Sequence, residues 1–225
     1  MSTFTNKISL GQGIYTVSDI ADLLNLPYYK VNRLLNEYWN KRLAKDKQPY
    51  SWTLNKSKAV NFHTLIEFFI FFQLKESGVT TTSILNAHKE LSELFNTSHP
   101  FAEAKILSGI SCFGSKIVFE YSKDQIINLD SSKQLNMNFI RNFIKKLDFE
   151  NGNLAMRFYP EGKSSTIIVD PSHQFGQATI KGTNVFPETI FNLFQRKEKK
   201  KYIASSYGIS LKQVNDAINY CSNVA

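Results

Sequence analysis

The chain has 225 residues, 42% hydrophobic and 20% charged, a balance that suits one large or two modest folded domains and excludes wholesale disorder. A formal net charge of +8, from 27 Lys and Arg against 19 Asp and Glu, calls for an anionic partner without separating a phosphate backbone from an anionic membrane surface. The most apolar run, residues 65–74, is half the roughly 20 residues that a bilayer helix needs and is broken by Glu67 and Gln73, so it reads as a buried helix with no membrane role. Residues 1–13 carry no apolar core or small-residue cleavage site of an export signal, and Cys112 and Cys221 are too few and too scattered for a disulfide framework. A cytoplasmic location is the expectation.

From the N-terminus, Thr16 and Asp19 form an acidic capping box that opens a helix. Residues 20–35 (IADLLNLPYYKVNRLL) then follow a pattern that recurs 183 positions later in residues 203–218 (IASSYGISLKQVNDAI). A small residue, Ala21 or Ala204, lets a second helix cross closely over the first. Asn25 and Gly208 stand where the first helix must stop and tolerate a left-handed cap. Leu26 and Ile209 plug the turn, and Pro27 and Ser210 suit the start of the next helix, Ser210 forming a second capping box with Gln213. Both stretches therefore read as helix-turn-helix units.

Behind the first unit come Lys41, Arg42, Lys45 and Lys47, then β-prone runs at 50–54 and 59–62 separated by Asn55-Lys56-Ser57-Lys58. A basic hairpin in that place is the wing of a winged helix, where Lys56 and Lys58 would meet phosphates. Helices are predicted at 62–77, ended by Gly78, and at 82–95, with caps offered by 80–82. The first carries Phe68, Phe69, Phe71 and Phe72 around its whole circumference. A helix apolar on every side must be covered on every side, which predicts that these phenylalanines lie at a subunit or domain interface, with a homodimer expected.

The run GIYTVSDIADLLNLPYYKVNRLL, the hairpin, FHTLIEFFIFFQLKESGVTTTSILNAHKELSELF and HPFA together resemble the winged-helix domain of the mercury-resistance-regulator (MerR) fold, over about residues 12–102. Such domains often carry Trp where Leu34 stands, and here Trp39 follows one turn on.

In the middle, apolar alternation from 106 to 129 predicts a small β-hairpin, 138–147 a helix, 151–153 a turn, and 154–159 a strand. The Gly162-Lys163-Ser164 in the next loop is no phosphate-binding loop, because Arg157 stands where that motif needs glycine. From Thr166 onward the chain resembles the prokaryotic "domain of unknown function 433" family, through the strand ending in Asp170-Pro171, the Gly176 turn and Ile180-Lys181-Gly182-Thr183. That family usually has Arg where Asn184 stands, and Gly176 and Gly182 read as structural turns.

A MerR-like winged domain joined to this C-terminal domain resembles a class of type II antitoxins that pair with PIN-like ribonuclease toxins, as in VapBC-type modules. The resemblance implies operator binding and toxin neutralisation. The alternative is a stand-alone MerR-like transcription regulator, with residues 106–159 sensing a small molecule. The expected architecture is mainly α with small β elements: a winged helix-turn-helix domain at 1–102, an α+β connecting region at 103–160, and a C-terminal helix-turn-helix domain at 161–225.

With Val31, Leu34 and Leu35 turned inward, the first recognition helix offers Tyr28, Tyr29, Lys30, Asn32 and Arg33 to double-stranded DNA: Arg and Lys for guanine edges, Asn for adenine, tyrosine hydroxyls for phosphates. Lys41, Arg42, Lys56 and Lys58 would add backbone contacts. The second unit offers Lys212, Gln213, Asn215 and Asp216, with Arg196, Lys197, Lys199, Lys200 and Lys201 crowding its first helix, to DNA or to an acidic toxin surface. His63, His88, His99 and His173 are scattered without partners at ligand spacing, and no nucleophile motif is present, so neither catalysis, a metal nor a cofactor is expected.

Overall fold

Both predicted capping boxes are closed in the structure, a computed structural model that describes residues 11–44, 49–54, 56–113, 116–122, 125–128 and 143–224. The Thr16 hydroxyl accepts from the Asp19 amide at 3.2 Å, and the Asp19 carboxylate accepts from the Thr16 amide at 2.8 Å. These bonds start α1 (Val17–Leu24) directly after the short strand β1 (Tyr15–Thr16). Asn25 ends α1 in the left-handed region (φ 49), and Pro27 leads into α2 (Tyr28–Arg33). Val31, Leu34 and Leu35 are buried, as their spacing predicts.

The helix then widens into a π-helical segment, Leu34–Leu43, which the sequence does not foretell. With bonds running i to i+5, residues five apart share a face. Leu34 and Trp39 therefore both point inward, at 1% and 0% exposure, with the indole one wide turn after Leu34. Asn40 holds the hairpin against this segment, its carbonyl accepting from the Tyr50 amide at 2.8 Å and its amide donating to Ser51 at 2.9 Å. The hairpin is β2 (Trp52–Leu54) and β3 (Ser57–Val60), with Leu54 opposite Ser57 and Lys56 at φ 72 in the turn. The second strand thus begins two residues before its predicted start, and β1 adds to its far edge to give the order β1-β3-β2. Lys45, Lys47 and Asn55 lie outside the described residues.

Next come α3 (Phe62–Glu76), capped by Asn61, and α4 (Thr81–Leu94), capped by Thr80, with Gly78 at φ 92 between them. The predicted second-subunit cover of α3 is corrected here, because the same chain supplies it. Trp39 meets Phe68 and Phe71 edge-on at 4.9 and 5.6 Å, and Phe143 and Phe158 meet Phe69 at 6.3 and 4.7 Å. Phe68, Phe69 and Phe71 are buried and Phe72 half-buried within one chain, so no second subunit is needed to cover them, and Phe69 lies at the domain interface that was the alternative.

Residues Ala104–Gly109 form helix α5 instead of the first strand of the predicted hairpin, followed by β4 (Ile110–Phe113), β5 (Lys116–Ser122) and β6 (Gln125–Asn128). The predicted helix at 138–147 lies largely outside the described residues. Short strands β7 (Leu147–Phe149), β8 (Ala155–Phe158), β9 (Ile167–Val169) and β10 (Ala178–Ile180) form one antiparallel sheet in the order β10-β9-β8-β7. A domain boundary at 160/161 would cut this sheet, where Phe158 pairs with Val169, so the C-terminal unit begins near Leu147. Helices α6 (Pro187–Gln195), α7 (Lys200–Tyr207) and α8 (Leu211–Val224) complete it.

The two units are joined closely. The Ile14 amide donates to the Phe175 carbonyl at 2.9 Å. The Tyr15 ring is clasped between Gly13 and Gly176, and a Cβ on Gly176 would lie 2.1 Å from the Tyr15 hydroxyl. Gly176, at φ +87, is therefore needed both for its backbone and for the joint. Within the N-terminal unit His88 and His99 meet Tyr50 edge-on, and His63 and His99 ring centroids lie 5.6 Å apart. Burial holds His63 below the ordinary histidine range, and for His99 the nearby His63 and His88 depress it further.

Two outcomes follow. Gly176→Ala should destabilise the protein by about 1–3 kcal/mol in urea unfolding, through overpacking and backbone strain; unchanged stability would contradict the clasp. Histidines whose folded pKa is depressed bind fewer protons folded than unfolded, so stability should fall as pH drops from 7 through about 6.5 toward 5. A urea midpoint that stays flat over that range would count against the buried cluster.

Candidate nucleic-acid interface

The first recognition helix presents the polar face that its pattern predicts. Tyr28 and Tyr29 are 56% and 66% exposed, and Lys30, Arg33, Lys41, Arg42, Lys56 and Lys58 are exposed as well. Asn32 is half-buried. The Arg33 Nε donates to Glu37 at 2.8 Å, and both Arg33 and Arg42 lie over the Tyr38 ring, at 5.9 and 5.3 Å from its centroid. An exposed i, i+4 pair adds little stability. Its effect is orientation: one edge of the guanidinium is held and the other left to face outward. The hydrogen bond to Glu37 also raises the Arg33 pKa above its ordinary value.

Asn36 links the wing to this helix. Its amide donates to the Asn32 carbonyl and side-chain oxygens at 2.9 and 2.8 Å, and its own oxygen accepts from Lys58. Lys58 is thus anchored to the recognition helix, which leaves Lys56, at the tip of the turn, as the outermost wing cation. Asn36, Glu37 and Tyr38 are functional neighbours that sequence reasoning passed over. The i, i+4 spacing from Asn32 and Arg33 was the available signal.

The second unit keeps the skeleton, and several side chains of its second helix are bonded within their own domain. Lys212 donates to the Ser164 carbonyl at 2.8 Å and to Asp216 at 2.6 Å. Asp216 also accepts from the amide and hydroxyl of Thr166, both at 2.9 Å. Gln213 closes the cap on Ser210 and donates to the Lys181 carbonyl at 3.2 Å, and Asn215 accepts from Lys200 at 2.8 Å. Lys212 and Gln213 thus tie α8 to the loops at Ser164 and Lys181, and Asn215 ties it to α7, while Lys212 and Asn215 stay exposed. Burial pushes the Asp216 carboxyl up, and the bonds from Lys212 and Thr166 outweigh it and hold the group below the ordinary carboxylate range.

Arg196, Lys197, Lys199, Lys200 and Lys201 remain exposed at the α6–α7 turn, with Lys200 over the Phe194 ring at 5.2 Å and Tyr202 61% exposed beside them. The Asp170-Pro171 motif is structural. Asp170 accepts from the Ser172 amide at 3.0 Å and pairs with Arg157 at 2.7 Å, while Gly182 takes φ +78 in the next turn. Among the described residues no group of three His, Cys, Asp or Glu can hold a metal ion, and no helix is long and apolar enough to cross a membrane.

Residues 167–221 match the family described as "Protein of unknown function (DUF433)". Over 54 residues the chain is 43% identical to "Uncharacterized protein Rv2308" of Mycobacterium tuberculosis (strain ATCC 25618 / H37Rv), a match covering 24% of this chain and 23% of that protein. The chain thus spans about a quarter of the length of this curated relative. A crystal structure of Rv2018 from Mycobacterium tuberculosis aligns with 94% of this chain and 100% of its own at a TM-score of 0.66 and 16% identity, a likeness of fold.

Asp216→Ala leaves the Thr166 amide and hydroxyl without their acceptor and should lower stability by about 1–3 kcal/mol. Urea unfolding measures it, and a variant as stable as the parent would mean that these bonds do not hold the helix.

Proposed function

We propose that this chain is a cytoplasmic, non-catalytic DNA-binding protein whose N-terminal winged helix-turn-helix, MerR-like in kind, reads operator DNA. One observation carries the reading. The first recognition helix keeps Tyr28, Tyr29, Lys30 and Arg33 exposed beside a wing lysine, whereas of the matching positions in the second Lys212, Gln213 and Asp216 are bonded to the loops of their own domain. Bidentate contacts from an arginine to guanine supply specificity, and the surrounding lysines and tyrosines supply phosphate contacts. The chain's place as an antitoxin neutralising a PIN-like ribonuclease rests on the resemblance of its domain pairing. The basic α6–α7 turn, with its exposed Tyr202, is the surface offered to such an acidic partner.

A second reading, regulation by a small molecule, is favoured by a cleft between the two units. It lies away from residues 106–159, where the sequence suggested a sensor.

The test is binding to the DNA upstream of the protein's own gene, followed by fluorescence anisotropy. Arg33→Ala should weaken specific binding by about 1–3 kcal/mol, and Lys56→Ala should weaken all sequences alike and reduce the salt slope by about 1. Absence of binding at low salt, where phosphate contacts are strongest, would overturn the DNA reading. Co-expression with the product of the neighbouring gene tests the antitoxin role, and failure to co-purify any nuclease would remove it.

A further inference from the structure

The wing and the recognition helix are joined through two amides, and the chain of hydrogen bonds between them has a direction. Lys58, on strand β3 of the wing, donates to the side-chain oxygen of Asn36. An ammonium group only donates, so the Asn36 oxygen must face it and the Asn36 N–H groups must face the other way. There they donate to the Asn32 backbone carbonyl at 2.9 Å and to the Asn32 side-chain oxygen at 2.8 Å. A backbone carbonyl only accepts, which sets the same orientation a second time. Both amides are half-buried, where a hydrogen bond holds more firmly than in open water. The Asn32 oxygen is thereby engaged, and its N–H groups have no partner among the described residues. We infer, resting on the DNA reading above, that Lys58 acts through Asn36 to fix Asn32 as a donor, so that this helix reads guanine and not adenine.

Asparagine recognises adenine with both ends of its amide, the oxygen accepting from N6–H2 and the nitrogen donating to N7. With its oxygen held by Asn36, Asn32 has only N–H groups to offer. Guanine presents two acceptors to them, N7 and O6, whereas adenine sets its own N6–H2 against a donor. The neighbouring side chains carry the same sign. Arg33, its Nε tied to Glu37 at 2.8 Å, has its Nη groups left for the N7 and O6 of another guanine. Lys30 is exposed and can only donate, and the hydroxyls of Tyr28 and Tyr29 donate or accept as the partner requires. The strong acceptors close by already hold cations, the Asn36 oxygen that of Lys58 and Glu37 that of Arg33. Glu37 also lies on the π-helical segment, beyond the N-terminal residues from which a recognition helix touches base edges. Asn36 and Lys58 are thus positioning residues, which set the polarity of the group that meets the base.

The experiment is selection of duplexes from a random pool by the full chain, followed by fluorescence anisotropy on the selected site. The parent should enrich guanines, and replacing one of them by 7-deazaguanine, which lacks the N7 acceptor, should weaken binding at least about fivefold. Asn36→Asp is the diagnostic variant. It keeps an acceptor for Lys58 but has no N–H, so Asn32 must turn its N–H groups to the new carboxylate and its oxygen to the DNA. At one selected position the preference for guanine over adenine should then fall at least about fivefold, while the guanine read by Arg33 is retained. The added negative charge weakens every duplex alike and leaves the ratio between bases unaffected. A selected site without enriched guanine, full-strength binding of the 7-deazaguanine duplexes, or a folded Asn36→Asp variant that selects the parent's site would each overturn the inference. Any of these in a chain that binds the random pool at low salt leaves the DNA reading standing, whereas no binding even at low salt overturns both. Should the variant not fold, the 7-deazaguanine comparison on the parent chain decides alone.

Discussion

A carboxylate in the middle of the most apolar helix must find donors or the helix cannot stay buried. Glu67, 0% exposed, finds three: the Trp39 indole at 3.1 Å, His88 Nε2, and the Phe101 amide at 2.9 Å. Each comes from a different element, so one side chain fixes the π-helical segment behind the recognition helix, α4, and the turn at Pro100–Ala102 around α3. Removing one partner of a buried pair of this kind costs about 3–5 kcal/mol, because the other is left unsatisfied. The presentation of Tyr28 to Arg33 depends on that anchor: Trp39 sets the roll of the helix, and the roll decides which residues face out.

The repeat in the sequence is real as a skeleton and misleading as a function. The same offset that aligns Val31 with Val214 aligns Arg33 with Asp216 and Tyr29 with Lys212. In the first copy these positions are exposed. In the second, Lys212 is exposed too, but it donates to Ser164, and Asp216 accepts from Thr166, so two side chains of that face are tied to the loop before β9. Two units with one backbone plan thus diverge through what stands beside them. The first has the β2–β3 hairpin next to its second helix, and the second has a four-stranded sheet.

Local chemistry was legible in advance. Both capping boxes, the left-handed Asn25 and Gly208, the cap of α4, and the inward set Val31, Leu34, Leu35 all follow from short-range rules. What was not legible depends on long separations. Nothing near Phe69 in sequence announces that Phe143 and Phe158 will cover it, so an all-apolar helix read as a subunit or domain interface, with a homodimer expected. The sheet of four strands, none longer than four residues, leaves too weak an alternation to set a domain boundary. His63, His88 and His99 are 36 positions apart at most and share no ligand spacing, yet the turn after α4 brings His99 back to the start of α3.

The central claim is the asymmetry between the two units, and Tyr28 and Leu211 occupy the same place in them. The most direct test replaces each in turn with a photo-crosslinking phenylalanine analogue and irradiates the full chain on the DNA upstream of its gene. The account predicts crosslinking from position 28 and none from 211. Crosslinking from 211 with none from 28 would contradict it.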